Sequence, residues 1–435
     1  MPLVMLLPFL VVLNGLAIPI AGVSLRLDQV AACVLVIPLV ASTLIGARRL
    51  RADSTVWWLA AILTANVVAS LLHSPARTYS LMQCANLASA WVIYVLILNA
   101  VDTGEAIDAF VRRVLWAAIF GCGIAVVAFA LASAGFDVGG AEVSATAATR
   151  LTDAYGAYGV MGEPNLLGSF AAAYVVLAAT LLALLRHASP GDIRLARWTV
   201  AISGVALVLS FTRAAWLGAL FGLALVGVFK WRAVARVARA RRIMTPLATA
   251  AAVVVLLLVV PGAAGTLFRF KIANLVNLQS QTAVIRGINY ALALDQTAAH
   301  PWIGWGTFTF APLTAQGADF QQFENWKNLW IGNYLLLALH DTGIVGLGLW
   351  CGLLWSIIAR GVRAIRAARE DAVTDLPDGE GRAIALTAAV SCLLIPFLTT
   401  SGFSLGYPWL LIGLLGASAA RTAQRMERPQ AAGDS

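Results

Sequence analysis

Arg213 sits inside the stretch LVLSFTRAAWLGAL, residues 207–220, which is otherwise apolar. Holding a guanidinium there is costly unless it reaches water or meets an anion. Its planar fork of donors suits phosphate oxygens, and it keeps its charge at any working pH. Arg213 is therefore either an arginine that snorkels to the headgroups or a phosphate ligand. Arg286 offers the same choice, interfacial anchor or second ligand, and two arginines facing one cavity suit a diphosphate. Arg150 is a third candidate for that anion. In GVMGEPNLLGSF, Glu163 precedes Pro164 and Asn165 follows. Proline in a first turn and an acid beside it favour a helix start. The other role open to Glu163 is general base or acceptor-binding carboxylate. In IGNYLLLALHDTGIVGLGLW, Asn333, His340 and Asp341 share one segment. His340 or Asp341 can take a proton there, or both simply bond backbone in a broken helix. His300 precedes Pro301 and reads as structural, while His73 and His187 lie in other loops, apart from this cluster. The sequence has no His/Glu set with metal spacing, no phosphate-binding P-loop and no GxSxG, so its motifs name no metal or cofactor.

The elements that must position these groups are membrane helices. The chain has 435 residues, 60% hydrophobic and 12% charged, with mean hydropathy +0.83. Such a composition excludes a soluble globular domain. About twelve runs approach the roughly 20 apolar residues that a lipid-spanning helix needs. They fall near 3–22, 28–47, 54–72, 79–100, 113–135, 164–186, 196–211, 214–230, 243–265, 331–359, 384–400 and 405–421. The expected fold is all-α and polytopic, with about twelve transmembrane helices by that rule. The run 3–22 has no basic residue before it, so it is expected as a retained span rather than a secretory signal. The 5 cysteines lie inside apolar runs without CxxC spacing and read as small buried hydrophobes.

The net charge of +9 is spread by topology rather than aimed at nucleic acid. Basic residues collect in alternating loops: Arg48, Arg49 and Arg51; Arg112 and Arg113; Arg186, Arg194 and Arg197; 230–242; 360–382; and 421–428. The positive-inside rule puts those loops and both termini in the cytoplasm. KWRAVARVARARR is then an anchor against anionic lipid. Eight basic residues remain on the outer side: Arg26, Arg77, Arg150, Arg213, Arg269, Lys271, Arg286 and Lys327. Two outer loops are long, 136–163 and 266–330. The second has helical periodicity over 285–297, with Arg286, Asn289 and Gln296 near one face and Ile285, Ile288 and Leu292 on the other. An amphipathic helix lying on the outer membrane surface is expected there, followed by a Pro- and Gly-marked turn at HPWIGWG. The organisation is thus nine spans over 1–265, an outer loop over 266–330, three spans over 331–421 and a tail over 422–435. The loop 361–382 and the tail are expected to be solvated.

Four stretches in order carry a family likeness: YGVMGEPNLLGSFAA, LSFTRAAWLGALFG, RGINYALALDQTAAHPWIGWGTF and GNYLLLALHDTGIVGL. Over roughly residues 150–350 the chain resembles the O-antigen ligase and polymerase superfamily of bacterial membrane glycosyltransferases. The resemblance implies a metal-independent, inverting transfer of a glycan from undecaprenyl diphosphate at the periplasmic face of the inner membrane. Arg213 and Arg286 match the arginines proposed in that family to hold the donor diphosphate. The family commonly opens the last stretch with a His-Asn pair whose His is the base; here the pair is Gly332-Asn333, and His340 stands eight residues on. His340, Asp341 and Glu163 all remain candidates for the base. The acceptor is either lipid A–core, making a ligase, or a second lipid-linked unit, making a polymerase. A transporter or flippase of lipid-linked sugars is a different class, and the repeats with paired broken helices expected of it are not found. A scaffold without activity would fit the departure at Gly332.

Overall fold

The computed structural model describes residues 2–13, 15–20, 23–47, 49–136, 141–142, 156–185, 188–237, 281–316, 330–370 and 379–433, together with residues 252, 259, 266 and 269. The expected run 243–265, apart from residues 252 and 259, and the candidate Arg150 lie outside the described residues.

The first expected span is corrected. A 3-10 turn, Pro2–Leu6, leads into α1, Leu7–Val12, and the chain then forms an antiparallel hairpin of β1, Ala17–Ile20, and β2, Val23–Arg26. Pro19 has no N–H for a helix interior. Gly15 meanwhile gives its N–H to the Val160 carbonyl at 2.6 Å. The apolar helix Leu3–Val12 is too short for a hydrocarbon layer of about 30 Å.

Six long helices follow: α2, Leu27–Leu44; α3, Ser54–Leu72; α4, Arg77–Ala100; α5, Gly104–Ser133; α6, Pro164–Leu184; and α7, Pro190–Leu209. Several starts are capped as their sequences require. Asp53 accepts from the amides of Thr55 and Val56, Thr103 from Ala106, and Ser189 from Asp192. A short pair, β3, Ala141–Glu142, and β4, Gly156–Ala157, lies between α5 and α6. Next come α8, Arg213–Val237; α9, Gln281–Ala299; α10, Phe310–Gln316; α11, Tyr334–Glu370; α12, Gly379–Cys392; and α13, Gly406–Gly433. Among the described residues, 8 helical segments are long and apolar enough to cross a membrane. The chain is an all-α polytopic membrane protein carrying two small strand pairs. The helices also outrun expectation at two solvated stretches. Part of the 361–382 loop is the end of α11, and α13 carries the 422–435 tail in helical form through Gly433.

The bundle is built round α6 and the segment Gly379–Leu398, whose spans are each 78% buried, against 28% for α2 and α8. The small residues Ser169, Ala171, Ala172 and Ala173 let neighbours approach α6 closely. The loops grouped above by their charge meet at one end of the bundle. There Asp53 pairs with Arg360, Asp108 with Arg382, and Glu380 with both Lys230 and Arg369.

At the other end α11 is broken. Gly343 has φ 64 and ψ −165, outside the helical region. Residues 301–306 dock into the break. Trp305 and Gly306 donate their amides to the carbonyls of His340 and Asp341, at 3.1 and 2.8 Å. In return the Ile344 and Val345 amides donate to the Pro301 and Trp302 carbonyls, at 2.8 and 3.3 Å. Gly304 makes the approach possible: its φ is +74, and a Cβ there would stand 2.5 Å from the Asp341 carbonyl carbon. Gly304→Ala is expected to lower the unfolding temperature in detergent, since positive φ alone costs a non-glycine residue about 1–3 kcal/mol. Gly348→Ala, where a Cβ meets open space on α11, should leave that temperature unchanged or raise it.

Candidate functional site

Glu163 and Arg213 are brought to the same end of the bundle by two helix starts. The chain reaches α6 through Gly162, with φ +79, and an extended Glu163, so that Pro164 opens the helix. The Asn165 amide donates to Glu163 Oε1 at 3.0 Å. On the neighbouring hairpin, α7 ends at Leu209 and the chain turns through Phe211, held at φ 51, to start α8 at Arg213. The Thr212 hydroxyl lies 3.1 Å from the Pro164 carbonyl oxygen and 3.5 Å from Asn165 Oδ1. Gly168 allows this, because a Cβ there would stand 2.7 Å from Thr212 Cβ. The first turn of α8 therefore rests against the first turn of α6. The start of α13 is close by, with the Tyr407 and Ser169 hydroxyls 2.6 Å apart. Helix N-termini carry partial positive charge, so their gathering beside Arg213 favours an anion.

Arg286 lies on α9, and that helix is turned opposite to a soluble amphipathic helix. Its polar side faces the protein: Asn289 and Thr297 are buried, and the Asn289 amide donates to the Trp330 carbonyl at 3.2 Å. Val284, Ile288 and Leu294 are exposed instead, as suits a helix whose other side meets lipid. Arg286 follows the inward face. Its Nε is shielded from solvent and has no hydrogen-bond partner among the described residues. Tyr290 sits beside it; burial raises the phenol pKa and the Arg286 guanidinium pulls it back.

His340 and Asp341 do not present an open base. His340 is 0% exposed and Asp341 4%. His340 Nδ1 lies 2.9 Å from Asp341 Oδ1, and its Nε2 lies 2.9 Å from Gln296 Oε1. The second Asp341 oxygen accepts the Phe308 amide at 2.8 Å. The two side chains thus tie α9 and the 301–308 segment to the break in α11. Asn333 caps α11, its Oδ1 accepting from the Leu335 and Leu336 amides at 3.0 and 3.1 Å. Of the three expected proton acceptors, Glu163 is the one left partly exposed.

A family model described as O-antigen ligase matches residues 198–351. Over those residues the chain is similar to the O-antigen ligase and polymerase superfamily. No curated protein matches it. The matched segment runs from α7 to the upper part of α11. It contains Arg213, Arg286, Asn333, His340 and Asp341, and begins after Glu163. The place beside Gly332 is already filled. A Cβ there would stand 3.2 Å from the Thr399 carbonyl and 3.3 Å from the Trp330 indole.

Two features escaped sequence reading. Gln296 was placed on the right helix face, but its bond to His340 spans 44 positions. The histidines set aside as separate, His73 and His300, stack with centroids 4.0 Å apart, and His73 Nδ1 meets the Gly304 carbonyl at 2.8 Å. The glycine spacing of WIGWG was the only local sign of so close a docking.

Gln296→Leu should destabilise the fold by about 1–3 kcal/mol, read as a lower unfolding temperature, because it strands a buried imidazole nitrogen. A second expectation concerns pH. Burial, and then the neighbouring His73, lower the His300 pKa below the usual 6.5. The unfolded chain therefore takes up this proton first as pH falls, and the contribution to stability is present above 6.5 and lost below it. The unfolding temperature should drop between neutral and mildly acid pH, and by less in His300→Gln.

Proposed function

We propose that the protein is a metal-independent, inverting glycan transferase of the O-antigen ligase type, with undecaprenyl-diphosphate-linked glycan as donor. The observation that carries this is the joining of two helix starts by Thr212, which puts Arg213 and Glu163 at one end of the bundle. The shielded, inward-facing Arg286 supports it. Arg213 and Arg286 would hold the donor diphosphate, with Arg150 as a candidate third ligand. The N-terminal ends of α6, α8 and α13 add positive potential.

Glu163 would take the proton from the acceptor hydroxyl. The freed oxygen attacks the anomeric carbon from the face opposite the diphosphate. The bond from that carbon to the phosphate oxygen breaks, and the configuration inverts. The lipid diphosphate leaves with the charge that the arginines stabilise. Asn165 would orient Glu163 through their hydrogen bond. Asn333, His340 and Asp341 would hold the scaffold of α9 and α11 in place. The acceptor in a ligase of this type is a hydroxyl of lipid A–core. The end rich in paired arginines and the C-terminus would face the cytoplasm of the inner membrane, and the Arg213 end the periplasm. The run 243–265, with α7 and α13, would bring the spans towards about twelve.

The test is turnover of a defined lipid-linked donor and acceptor by purified protein in detergent. Arg213→Ala should cost about 10²–10³ in rate, the loss seen when one donor to a developing anion is removed. Arg213→Lys should recover part of it, since charge returns without the fork. Glu163→Gln should cost about 10²–10⁴, while folded His340→Gln keeps turnover. The assignment of the base fails if His340→Gln is inactive though folded and Glu163→Gln is active.

A further inference from the structure

At the ion-paired end of the bundle there is a cleft of about 470 Å³, lined by Phe9 of α1 and by Ala109, Arg112, Arg113 and Trp116 of α5. It takes no part in the transfer site. We infer that this cleft binds the headgroup of an anionic phospholipid, with an acyl chain lying along the outer face of α5.

One guanidinium is unpaired among the described residues and the other is only loosely paired. Arg113 has no hydrogen bond or ion pair among the described residues. The carboxylate beside Arg112, on Asp192, is 3.9 Å away, beyond hydrogen-bond distance. A phosphate entering between them would gain charge-assisted bonds that the protein does not supply. The surface beyond them is shaped for hydrocarbon. Arg113, Trp116, Phe120, Gly123 and Val127 follow one another at steps of 3, 4, 3 and 4, and so share one face of α5. Trp116 is 54% exposed, Phe120 45% and Val127 57%. Gly123 leaves a notch in this stripe, since a Cβ there would meet nothing within 4 Å. Phe9 forms the wall, its ring edge-on to Phe120 at 6.5 Å. The order of charge, indole and bare apolar surface matches a lipid read from headgroup to chain, with the tryptophan at the interface. A soluble anion would use the arginines and leave the stripe unexplained. A zwitterionic headgroup would bring its own cation against the unpaired Arg113 guanidinium, with Arg112 beside it only loosely paired to Asp192.

The experiment is native mass spectrometry of the full-length protein in detergent, titrated with phosphatidylglycerol or with phosphatidylcholine of the same chains. Wild type should retain one phosphatidylglycerol in preference to phosphatidylcholine. Arg113→Ala should weaken that retention about fivefold, the attraction of one cationic side chain near an anionic surface. Because Arg113 has no protein partner among the described residues, this variant keeps the fold. Arg366→Ala, which removes an arginine elsewhere at the same end, should retain phosphatidylglycerol as wild type does. Trp116→Ala should shorten retention without restoring phosphatidylcholine. The proposal is overturned if the two lipids are held equally, if Arg113→Ala binds as wild type, or if inorganic phosphate alone displaces the lipid.

Discussion

A chain surrounded by lipid must satisfy every backbone amide and carbonyl from within, and the break in α11 is where that demand is hardest to meet. Gly343 frees groups on both sides of itself. Residues 301–306 return them, amide for carbonyl, through the bonds from Trp305, Gly306, Ile344 and Val345. Glycines 304 and 306 let the two backbones come within reach, each at positive φ. Because this segment follows α9 directly, satisfying the break also fixes where α9 lies, and with it the direction of Arg286.

The histidine at the break illustrates how one residue type can serve two ends. His340 has the chemistry of a base, and sequence places it near the family's expected one. Its ring nitrogens are both spent on Asp341 and Gln296, and the ring is sealed from solvent. The same atoms that would move a proton are holding three segments together. Glu163 differs because it stands at a helix start, where the backbone turns outward and leaves the carboxylate partly exposed.

The two ends of the molecule divide the charges between them. At one end arginines and lysines find carboxylates on other helices, as in the Asp53–Arg360 pair joined by Tyr94. At the other, Arg26 is taken up by Asp28 and the Ser404 carbonyl, which explains one of the outer basic residues without any ligand. Arg213 and Arg286 are set apart by position, one at a helix start and one on the inward face of a surface helix.

Sequence alone determined the class of the protein, because an apolar run long enough for a bilayer is a local property. Ser54–Leu72 was placed to the residue for that reason, and the amphipathic stretch 285–297 was found from its period. Charge bias likewise grouped the loops that meet at one end. The tertiary structure decided the rest. It turned residues 3–22 into a short helix and hairpin, because Gly15 bonds a carbonyl about 145 positions away, a loop-closure that no local window senses. It also decided that the first turns of α6 and α8 meet through Thr212, that the polar face of α9 points inward, and that His340 is enclosed. Each of these depends on which helices pack together, and contact across a bundle follows from the fit of whole surfaces, not from spacing along one helix.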